Sequence, residues 1–271
     1  MPEGDTIFRA ARTLNTALAG KTVRRFETVL AQLASVDDQE PIAGRTIEQV
    51  VPHGKHLIID FSGGLHLRTH MRMNGSWHIY RPGERWKKRR DEMRVVIATD
   101  DWVAVAFNVP VAEFLNDRAI VRQNDLRHIG PDVLGDTFDA GEAFRRIRAR
   151  PDTEIAEVLL NQRVIAGIGN IWKSETLFAC RVNPFVRVAD LTDDQVYCLV
   201  TSARKLMQRS TTAESRNNIA VYSRGGDPCR RCKTPIASRK QGIDARLTYW
   251  CPVCQGSGIR DQGLGIRDEV S

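Results

Sequence analysis

The chain begins with two residues whose side-by-side placement suits covalent chemistry on a carbon electrophile. If Met1 is removed, Pro2 becomes the N-terminal residue and its secondary amine is a good nucleophile toward an aldehyde-like carbon. An α-amino group titrates near ~8 and a lysine near ~10.4, so much more of the α-amino group is unprotonated at neutral pH. Glu3 follows directly and can transfer protons beside that amine. The alternative is an ordinary mobile N-terminus, with Asp5 or Thr6 capping the first helix.

Four of the six cysteines have the spacing of a metal site. Cys229, Cys232, Cys251 and Cys254 follow the pattern C-x2-C-x18-C-x2-C, which is typical of four-cysteine zinc sites. Four thiolates complete a tetrahedron, so we expect one structural Zn²⁺ ion per chain, with no open position for catalysis. The basic side chains of this segment favour a finger that contacts DNA: Arg230, Arg231, Lys233, Arg239, Lys240 and Arg246.

Cys180 and Cys198 lie apart from this group, in segments with a helical pattern. We expect them to be buried as small apolar residues. The sequence shows no secretory leader and no apolar run long enough to span a bilayer. We therefore expect a cytoplasmic protein that does not bind membranes. A reducing compartment favours metal over disulfides for the four clustered cysteines.

The composition favours a polyanionic partner. The net charge is +7 and the pI is near 9.3, and 40 lysines and arginines are spread along the chain. A basic surface of this kind indicates nucleic acid before any other partner. With 271 residues, 42% of them hydrophobic, the chain is long enough for two domains and a small third module.

The first half of the chain combines one helix with short strands. Residues 5–19 repeat apolar side chains at helical spacing and end before Gly20, which predicts an amphipathic helix. The positive end of its dipole disfavours protonation of the amine of Pro2. Segment 81–90 is rich in basic residues and is either a DNA contact or the solvated tip of a hairpin. Seven runs predict an antiparallel sandwich or barrel: 23–27, 46–51, 56–61, 65–71, 76–80, 93–99 and 102–107.

The second half of the chain has helical periodicity after residue 126. Four helices are predicted, at 139–149, 153–163, 171–180 and 193–209. Thr192 and Gln195 form a capping box at the last of them. The glycines of segment 165–171 imply a tight turn whose N–H groups point out at a helix start, which either binds phosphate or serves packing. Residues 211–228 are predicted to be a polar linker, and residues 256–271 a mobile tail.

Six short motifs follow one another in a specific order. They are Met-Pro-Glu-Gly at 1–4, Gly54-Lys55 before a strand, Gly-Pro-Asp-Val-Leu at 130–134, Gly-Ile-Gly-Asn-Ile at 167–171, Tyr222-x-Arg224, and Arg-Leu-Thr-Tyr-Trp-Cys-Pro-Val-Cys-Gln at 246–255. Together they resemble the family of DNA glycosylase/AP lyases that comprises formamidopyrimidine-DNA glycosylase and endonuclease VIII. The resemblance covers essentially residues 1–255.

The resemblance implies an α+β fold. An N-terminal helix would pack on an antiparallel β-sandwich in a catalytic domain at residues 1–125. A helix-two-turn-helix DNA-binding domain would follow at 126–221, then a four-cysteine zinc finger at 222–256 and a flexible tail at 257–271. Damaged duplex DNA would lie in the basic cleft between the two domains. We expect a bacterial-type, nucleoid-associated monomer.

The resemblance also implies a mechanism in which the damaged nucleotide is flipped out of the duplex. The nitrogen of Pro2 would attack the sugar C1′, the base would leave, and a Schiff base would form while Glu3 shuttles protons. Lys55 would bind phosphate near the lesion and assist elimination. Arg246 would clamp the phosphates, and Asn170 would contact the same backbone. β-Elimination and then δ-elimination would cut the strand.

The residues that distinguish the two branches of the family favour endonuclease VIII, whose substrates are mainly oxidised pyrimidines. The formamidopyrimidine branch usually has Pro-Glu after Gly4 and an Asp-Pro-Arg-Arg-Phe-Gly loop. Here position 6 is Thr, and segment 107–114 reads Phe-Asn-Val-Pro-Val-Ala-Glu-Phe. The loss of the arginine/phenylalanine pair argues against recognition of purine lesions. Preference for formamidopyrimidines and 8-oxoguanine remains the alternative within the family.

Segment 70–75 aligns with the void-filling loop of the family. Arg72 and Met73 would insert where the flipped base was, unless Met73 packs in a strand. His128 falls where endonuclease VIII relatives carry a phosphate-binding arginine, so that contact would be weaker or pH-dependent.

A third reading, from another class, is a zinc-dependent protein that binds damaged DNA without catalysis. The presence of Pro2, Glu3, Lys55 and Arg246 argues against it.

Overall fold

Helix α1 (Gly4–Leu18) opens the fold and joins its two halves. The computed structural model describes residues 2–212 and 219–256. Ile7 packs into the core of the β-rich half, whereas Phe8, on another face of the helix, packs against the core of the helical half. The start of α1 therefore lies at the joint between the halves.

The capping predicted for α1 was wrong. Glu3 occupies the N-cap position, and its side chain makes no capping hydrogen bond. Asp5 is buried and accepts a 2.5 Å hydrogen bond from the hydroxyl of Ser210. Asp5 therefore ties α1 to the helical half instead of capping it.

Two four-stranded antiparallel sheets form the sandwich that was one of the two architectures expected. The first has the order β1-β6-β7-β5 and the second the order β2-β3-β4-β8. Their apolar faces enclose a core that also contains one face of α1. The strands are β1 (Arg25–Thr28), β2 (Ile47–His53), β3 (His56–Phe61), β4 (Leu65–His70), β5 (Ser76–Tyr80), β6 (Met93–Ala98), β7 (Val103–Phe107) and β8 (Val111–Asn116).

Several short elements were not predicted from the sequence. Helix α2 (Ala31–Gln39) buries only Leu33, so its apolar period is too weak to stand out. Strand β8 follows Pro110 and is only partly buried, which hides its alternation. Helices α3 (Asp117–Arg122) and α4 (Asn124–Arg127) are too short for a periodic signal.

Four helices pack around a second core, as predicted. They are α5 (Ala140–Arg148), α6 (Ile155–Leu160), α7 (Asn170–Ala179) and α8 (Asp193–Thr212). The capping box of α8 is confirmed, because Gln195 N–H donates to the Thr192 hydroxyl and the Thr192 N–H donates to the Gln195 amide oxygen. Every residue of α7 from Asn170 to Phe178 is buried, so this helix is the centre of the helical half. No helix in the described ranges combines the length and apolarity needed to cross a membrane.

The cysteine-rich module consists of a hairpin, β9 (Ala237–Gln241) and β10 (Arg246–Trp250), followed by α9 (Pro252–Gln255). It packs against the end of α7, where the guanidinium of Arg231 donates to the carbonyls of Phe178 and Ala179. The tail predicted at 257–271 lies outside the described residues, as does part of the predicted linker.

The expectation for the two remaining cysteines was wrong. Cys180 and Cys198 are half-buried and form a disulfide, with a Cα–Cα distance of 6.0 Å. The bond joins the end of α7 to the first turns of α8. No local feature of the sequence indicated the pairing, because the two thiols are brought together only by helix packing.

Candidate active site and nucleic-acid interface

Glu3 is fully buried where α1 meets the start of α7. Its Oε1 accepts a 2.8 Å hydrogen bond from the N–H of Ile171, and its Oε2 accepts a 3.2 Å hydrogen bond from the N–H of Trp172. Unpaired N–H groups and the helix dipole make such a helix start a favourable place for an anion. From the sequence, phosphate binding was one of two roles considered for these N–H groups. In the structure they donate to the carboxylate of Glu3 instead.

The glycines before α7 allow this close approach. Gly4 N–H donates to the carbonyl of Gly167 at 2.9 Å, which joins the two backbone segments. A Cβ atom on Gly169 would lie 2.3 Å from Cδ of Glu3, so no larger residue fits without moving the carboxylate. Of the two roles considered for segment 165–171, phosphate binding and packing, the structure shows packing.

A cleft of about 450 Å³ opens beside Pro2 and Glu3. Lys55, Asn170 and Arg246 also line it. They come from the β2–β3 turn, the start of α7 and the start of β10. The structure therefore brings together five predicted site residues from four segments that are far apart in sequence.

Lys55 is positioned by a turn that docks against the helical half. Gly54, with a φ of 59°, donates its N–H to a carboxylate oxygen of Asp132 at 2.6 Å. Burial lowers the pKa of Lys55 to about 8, the carboxylate of Glu3 opposes that shift, and the charge of Arg246 adds to it. At neutral pH the ammonium group is still mostly protonated, which suits a phosphate ligand.

Asn170 connects the helical half to the finger at the rim of the cleft, and Arg246 begins the strand that it contacts. Asn170 is the first residue of α7, and its amide nitrogen donates to the carbonyl of Leu247 at 2.7 Å. The side chain of Arg246 is 46% exposed, and its Nε lies 3.8 Å from a carboxylate oxygen of Asp244. The guanidinium can therefore reach an anion in the cleft.

Lys173 is a site residue that the sequence reasoning missed. It is only 1% exposed, and its Nζ donates 2.7 Å hydrogen bonds to the amide oxygen of Asn170 and the hydroxyl of Thr248. Burial lowers its pKa to about 7, Glu3 opposes the shift and Arg246 adds to it. Its position one helical turn after Asn170 was a usable signal, but a lysine is usually expected on the surface.

The opposite wall of the cleft carries two histidines that were also missed. His56 and His70 face each other across β3 and β4, with ring centroids 4.9 Å apart. Burial is the main cause that lowers the pKa of His56 to about 3 and that of His70 to about 4, and nearby arginines add to both shifts. Both imidazoles are therefore neutral at neutral pH. Arg68 also lines the cleft and forms an ion pair with Glu113.

The loop between β4 and β5 brings Arg72 and Met73 to the cleft. Arg72 has a φ of 50°, and its N–H donates to the ring of His70 at 3.0 Å. Met73 is 56% exposed and lies outside any strand, so the alternative that it packs in a strand was wrong. A Cβ on Gly75 would lie 2.4 Å from the carbonyl oxygen of Met71, so this tight loop needs glycine there.

Two predicted contacts lie away from this cleft. His128 is exposed and does not line it. The basic segment 81–90 surrounds a separate cavity of about 570 Å³. There the guanidinium carbon of Arg81 stacks 3.6 Å from the ring centroid of Trp102.

The four clustered cysteines converge on one point. Their sulfur atoms all lie within 4.8 Å of one another, with 4.0 Å between Cys229 and Cys254 and 3.4 Å between Cys232 and Cys251. Tetrahedral zinc with Zn–S bonds of about 2.3 Å spaces its sulfur ligands by about 3.8 Å. The donor set and its spacing therefore fit a structural metal ion of this kind.

Three family models match successive parts of the chain. The formamidopyrimidine-DNA glycosylase N-terminal domain matches residues 1–130, and the formamidopyrimidine-DNA glycosylase H2TH domain matches 129–219. A zinc finger found in FPG and IleRS matches 226–256. A Streptomyces coelicolor protein named probable endonuclease 8 2 is 40% identical over 98% of this chain and 99% of its own length. The chain belongs to the formamidopyrimidine-DNA glycosylase/endonuclease 8 family.

Other members of this family extend the match over nearly the whole chain. The Mycolicibacterium smegmatis protein named DNA-(apurinic or apyrimidinic site) lyase Nei2 is 36% identical over 94% of this chain and 99% of its own length. The structure of Lactococcus lactis Fpg, in a complex with DNA containing an abasic site, superposes with a TM-score of 0.81 at 22% identity, covering 94% of this chain and 99% of that one. The expected α+β fold with its helix-two-turn-helix region and cysteine finger is confirmed.

Proposed function

We propose that this DNA glycosylase/AP lyase of base excision repair removes oxidised pyrimidines from duplex DNA and cuts the strand by β,δ-elimination through a Schiff base on Pro2. The observation that carries the proposal is the position of the Glu3 side chain. Its carboxylate is fixed by the first N–H groups of α7, beside Pro2, in a cleft lined by Lys55 and Arg246.

The chemistry requires a proline with a free nitrogen and a neighbouring proton carrier. With Met1 removed, the nitrogen of Pro2 bonds to C1′ while the bond from C1′ to the base breaks and the base takes up a proton. Opening of the sugar ring at O4′ gives an iminium ion, which acidifies the C2′–H bond. Loss of that proton expels the 3′ phosphate, and a second elimination expels the 5′ phosphate. Glu3 is the group placed to move these protons.

The cations of the cleft bind the DNA backbone around the extruded nucleotide. Lys55 from the β2–β3 turn and Arg246 from the finger supply charge, and Asn170 supplies an amide N–H. Hydrogen bonds that involve charged groups contribute about 1.5–3 kcal/mol each. Arg72 and Met73, carried on the loop between β4 and β5, fill the space that the flipped nucleotide leaves.

The finger holds Zn²⁺ through Cys229, Cys232, Cys251 and Cys254. The ion keeps the β9–β10 hairpin folded, and the hairpin in turn places Arg246 at the cleft. Four thiolates leave no open coordination position, so the ion takes no part in the reaction. We also propose the division into domains at 1–125, 126–221 and 222–256.

The preference for oxidised pyrimidines is supported by the connection from β7 to β8. Segment 107–114 lacks the arginine/phenylalanine pair of the formamidopyrimidine branch. Glu113 on this segment pairs instead with Arg68, which lines the cleft. The relatives named endonuclease 8 point the same way.

Borohydride trapping tests the proposal directly. The protein is incubated with duplexes that carry thymine glycol, dihydrouracil, 8-oxoguanine or an abasic site, and borohydride is added to reduce the Schiff base. We expect covalent adducts with the two pyrimidine lesions and the abasic site. If no substrate gives an adduct, the lyase mechanism is wrong. If the 8-oxoguanine adduct forms fastest, the lesion preference is that of the formamidopyrimidine branch.

Two variants locate the reacting groups. A chain that retains Met1, verified by mass spectrometry, should bind DNA but give no adduct, because the nitrogen of Pro2 is then an amide. Glu3→Gln should lose base excision by about 100-fold or more while still cutting at abasic sites, since general acid–base catalysis contributes about that much.

A further inference from the structure

A buried chain of polar side chains runs from the start of α7 through the finger to the start of α6. Lys173 Nζ donates to the amide oxygen of Asn170 and to the hydroxyl of Thr248, both at 2.7 Å. Thr248 donates to the amide oxygen of Gln241 at 2.7 Å, and the amide nitrogen of Gln241 donates to Glu154 at 2.6 Å. Asn170, Lys173, Thr248 and Gln241 are each at most 9% exposed.

The lysine decides which way the amide of Asn170 points. The Nζ of Lys173 donates to the amide of Asn170, so the oxygen is the end of the amide that faces the lysine. The amide nitrogen is thereby turned the other way, where one N–H reaches the carbonyl of Leu247 at 2.7 Å. The second N–H of the same nitrogen is then available at the cleft that Asn170 lines.

The same ammonium group fixes the hairpin of the finger. It donates a hydrogen bond to Thr248 in the middle of β10. Thr248 lies two residues after Arg246, the first residue of that strand. Gln241, which accepts from Thr248, is paired with Arg246 in the register of the hairpin. Lys173 therefore touches both elements that carry a proposed phosphate ligand from this side of the cleft.

We propose that Lys173 is a positioning residue that aligns Asn170 and Arg246 as one phosphate-binding unit across the junction of α7 and the finger. The inference rests on the proposed function, because the phosphate is that of the bound DNA. Lys173 itself is buried and does not contact the DNA.

A buried lysine lowers the stability of the fold. A role for Lys173 in positioning can therefore be distinguished from a role in stabilising the fold. Burial disfavours its charge, and its pKa is lowered to about 7 mainly for that reason. Apolar side chains of similar size are often as stabilising as a buried charge or more so. Lys173→Met removes that cost but also the donor of Asn170 and Thr248, so we expect a melting temperature within a few degrees of the wild type, although DNA binding is impaired.

The test measures binding of a duplex that carries tetrahydrofuran, an abasic analogue that cannot form a Schiff base. For Lys173→Met we expect Kd to rise about tenfold, the effect of losing one aligned charge-assisted contact. The rate of borohydride trapping at saturating abasic DNA should fall by a smaller factor than the affinity does, since Pro2 and the hydrogen bonds of Glu3 to α7 are retained. Lys205→Met, on an exposed part of α8, controls for the loss of one positive charge.

A double-mutant cycle separates positioning from a general loss of charge. Asn170→Ala should weaken binding in the wild type but add little in Lys173→Met, because the amide is already misaligned there. Fully additive effects, or a Kd for Lys173→Met within twofold of the wild type, overturn the proposal.

A second pair of variants covers the case in which Lys173→Met does not fold. Thr248→Val removes the hydroxyl that accepts from Lys173, and Thr248→Ser keeps it. The valine variant should raise Kd, and the serine variant should restore most of the affinity. Equal Kd values for the two variants contradict the proposal.

Hydrogen exchange in the protein without DNA keeps this test separate from the proposed function. If Lys173 positions the hairpin, backbone amides of β10 exchange faster in Lys173→Met and Thr248→Val than in the wild type, with zinc content unchanged. Unchanged exchange rates refute the positioning role. Failure of the wild type to form an adduct with any lesion refutes the proposed function and leaves the exchange result to stand or fall on its own.

Discussion

At the scale of single residues, Glu3 shows how a buried charge is made usable. It is removed from water, yet two N–H groups of α7 donate hydrogen bonds to it, and its charge opposes the lowering of the pKa of Lys55 and of Lys173 by burial. Such a carboxylate has a fixed position and a fixed set of neighbours. A Cβ atom at position 169 would displace this carboxylate, because Gly169 lies directly against Glu3.

Gly169→Ala is expected to damage catalysis without damaging the fold as a whole. The new Cβ would lie 2.3 Å from Cδ of Glu3, so the carboxylate must move away from the α7 N–H groups. We expect the rate of dihydrouracil excision to fall at least about tenfold, because small displacements of catalytic groups have large effects. Gly141→Ala in α5 is the matched control, since its Cβ would meet only the ends of side chains. Equal excision by the two variants would show that Glu3 tolerates the shift.

Lys55 gives a pH dependence whose direction follows from its lowered pKa. In the free protein its charge is lost as pH rises through about 8, while a bound phosphate favours the charged form. DNA binding should therefore take up a proton above about pH 8, and affinity should fall there more steeply than for a lysine of ordinary pKa. Lys55→Arg stays charged throughout, so the ratio of wild-type to variant Kd should rise between pH 7.5 and 9.5 in fluorescence-anisotropy titrations. A constant ratio would rule out a titrating Lys55.

At the scale of elements, α7 connects the parts of the site. Its first turn holds Glu3, its second turn supplies Lys173, and its last carbonyls accept hydrogen bonds from Arg231 of the finger. The disulfide between Cys180 and Cys198 then fastens the end of this helix to α8. A helix buried on all sides is well suited to this role because it cannot shift without opening the core.

Reduction of this disulfide should destabilise the helical half. The bond closes a loop with a sequence separation of 18 residues, for which chain entropy predicts about 3 kcal/mol of stabilisation. Urea unfolding of the double variant Cys180→Ser and Cys198→Ser should give a free energy of unfolding lower by roughly that amount, with zinc content unchanged. A thiol count of six in the unfolded, unreduced protein would contradict the disulfide itself.

At the scale of the whole molecule, the cleft lies where the sandwich, the helical half and the finger meet. α1 packs into the cores of both halves, so the position of Pro2 depends on how those halves sit together. The net charge of +7 gives the protein a general attraction to DNA, but the cations that line this cleft decide where the backbone is held.

The salt dependence of DNA binding should distinguish these cations from the rest of the charge. Arg246→Ala should reduce the slope of log Kd against log salt by about 0.9, the value for one released counterion per phosphate contact. Arg89→Ala is the comparison, because Arg89 lies in the separate basic segment 81–90 and pairs with Asp91. A slope reduced equally by both variants would mean that DNA also covers that segment.

Much of the fold was predictable because its signals are local. The strands β3 and β5 were predicted to the residue, since each is a short, largely apolar run between turn glycines. The four-cysteine pattern and the capping box of α8 are likewise short-range codes. By contrast, α2 and β8 owe their formation to neighbours in the sandwich, so their own sequences say little.

The sequence by itself determined the chemical inventory of the site: a proline beside a glutamate, Lys55, Asn170, Arg246 and four metal ligands at the right spacing. Only the tertiary structure decided what surrounds each group. Glu3 and Ile171 are 168 residues apart, so nothing local could show that the start of α7 holds a carboxylate. Burial and neighbouring charge, which set the pKa of Lys55 and hid Lys173 in the junction with the finger, exist only after the chain has folded.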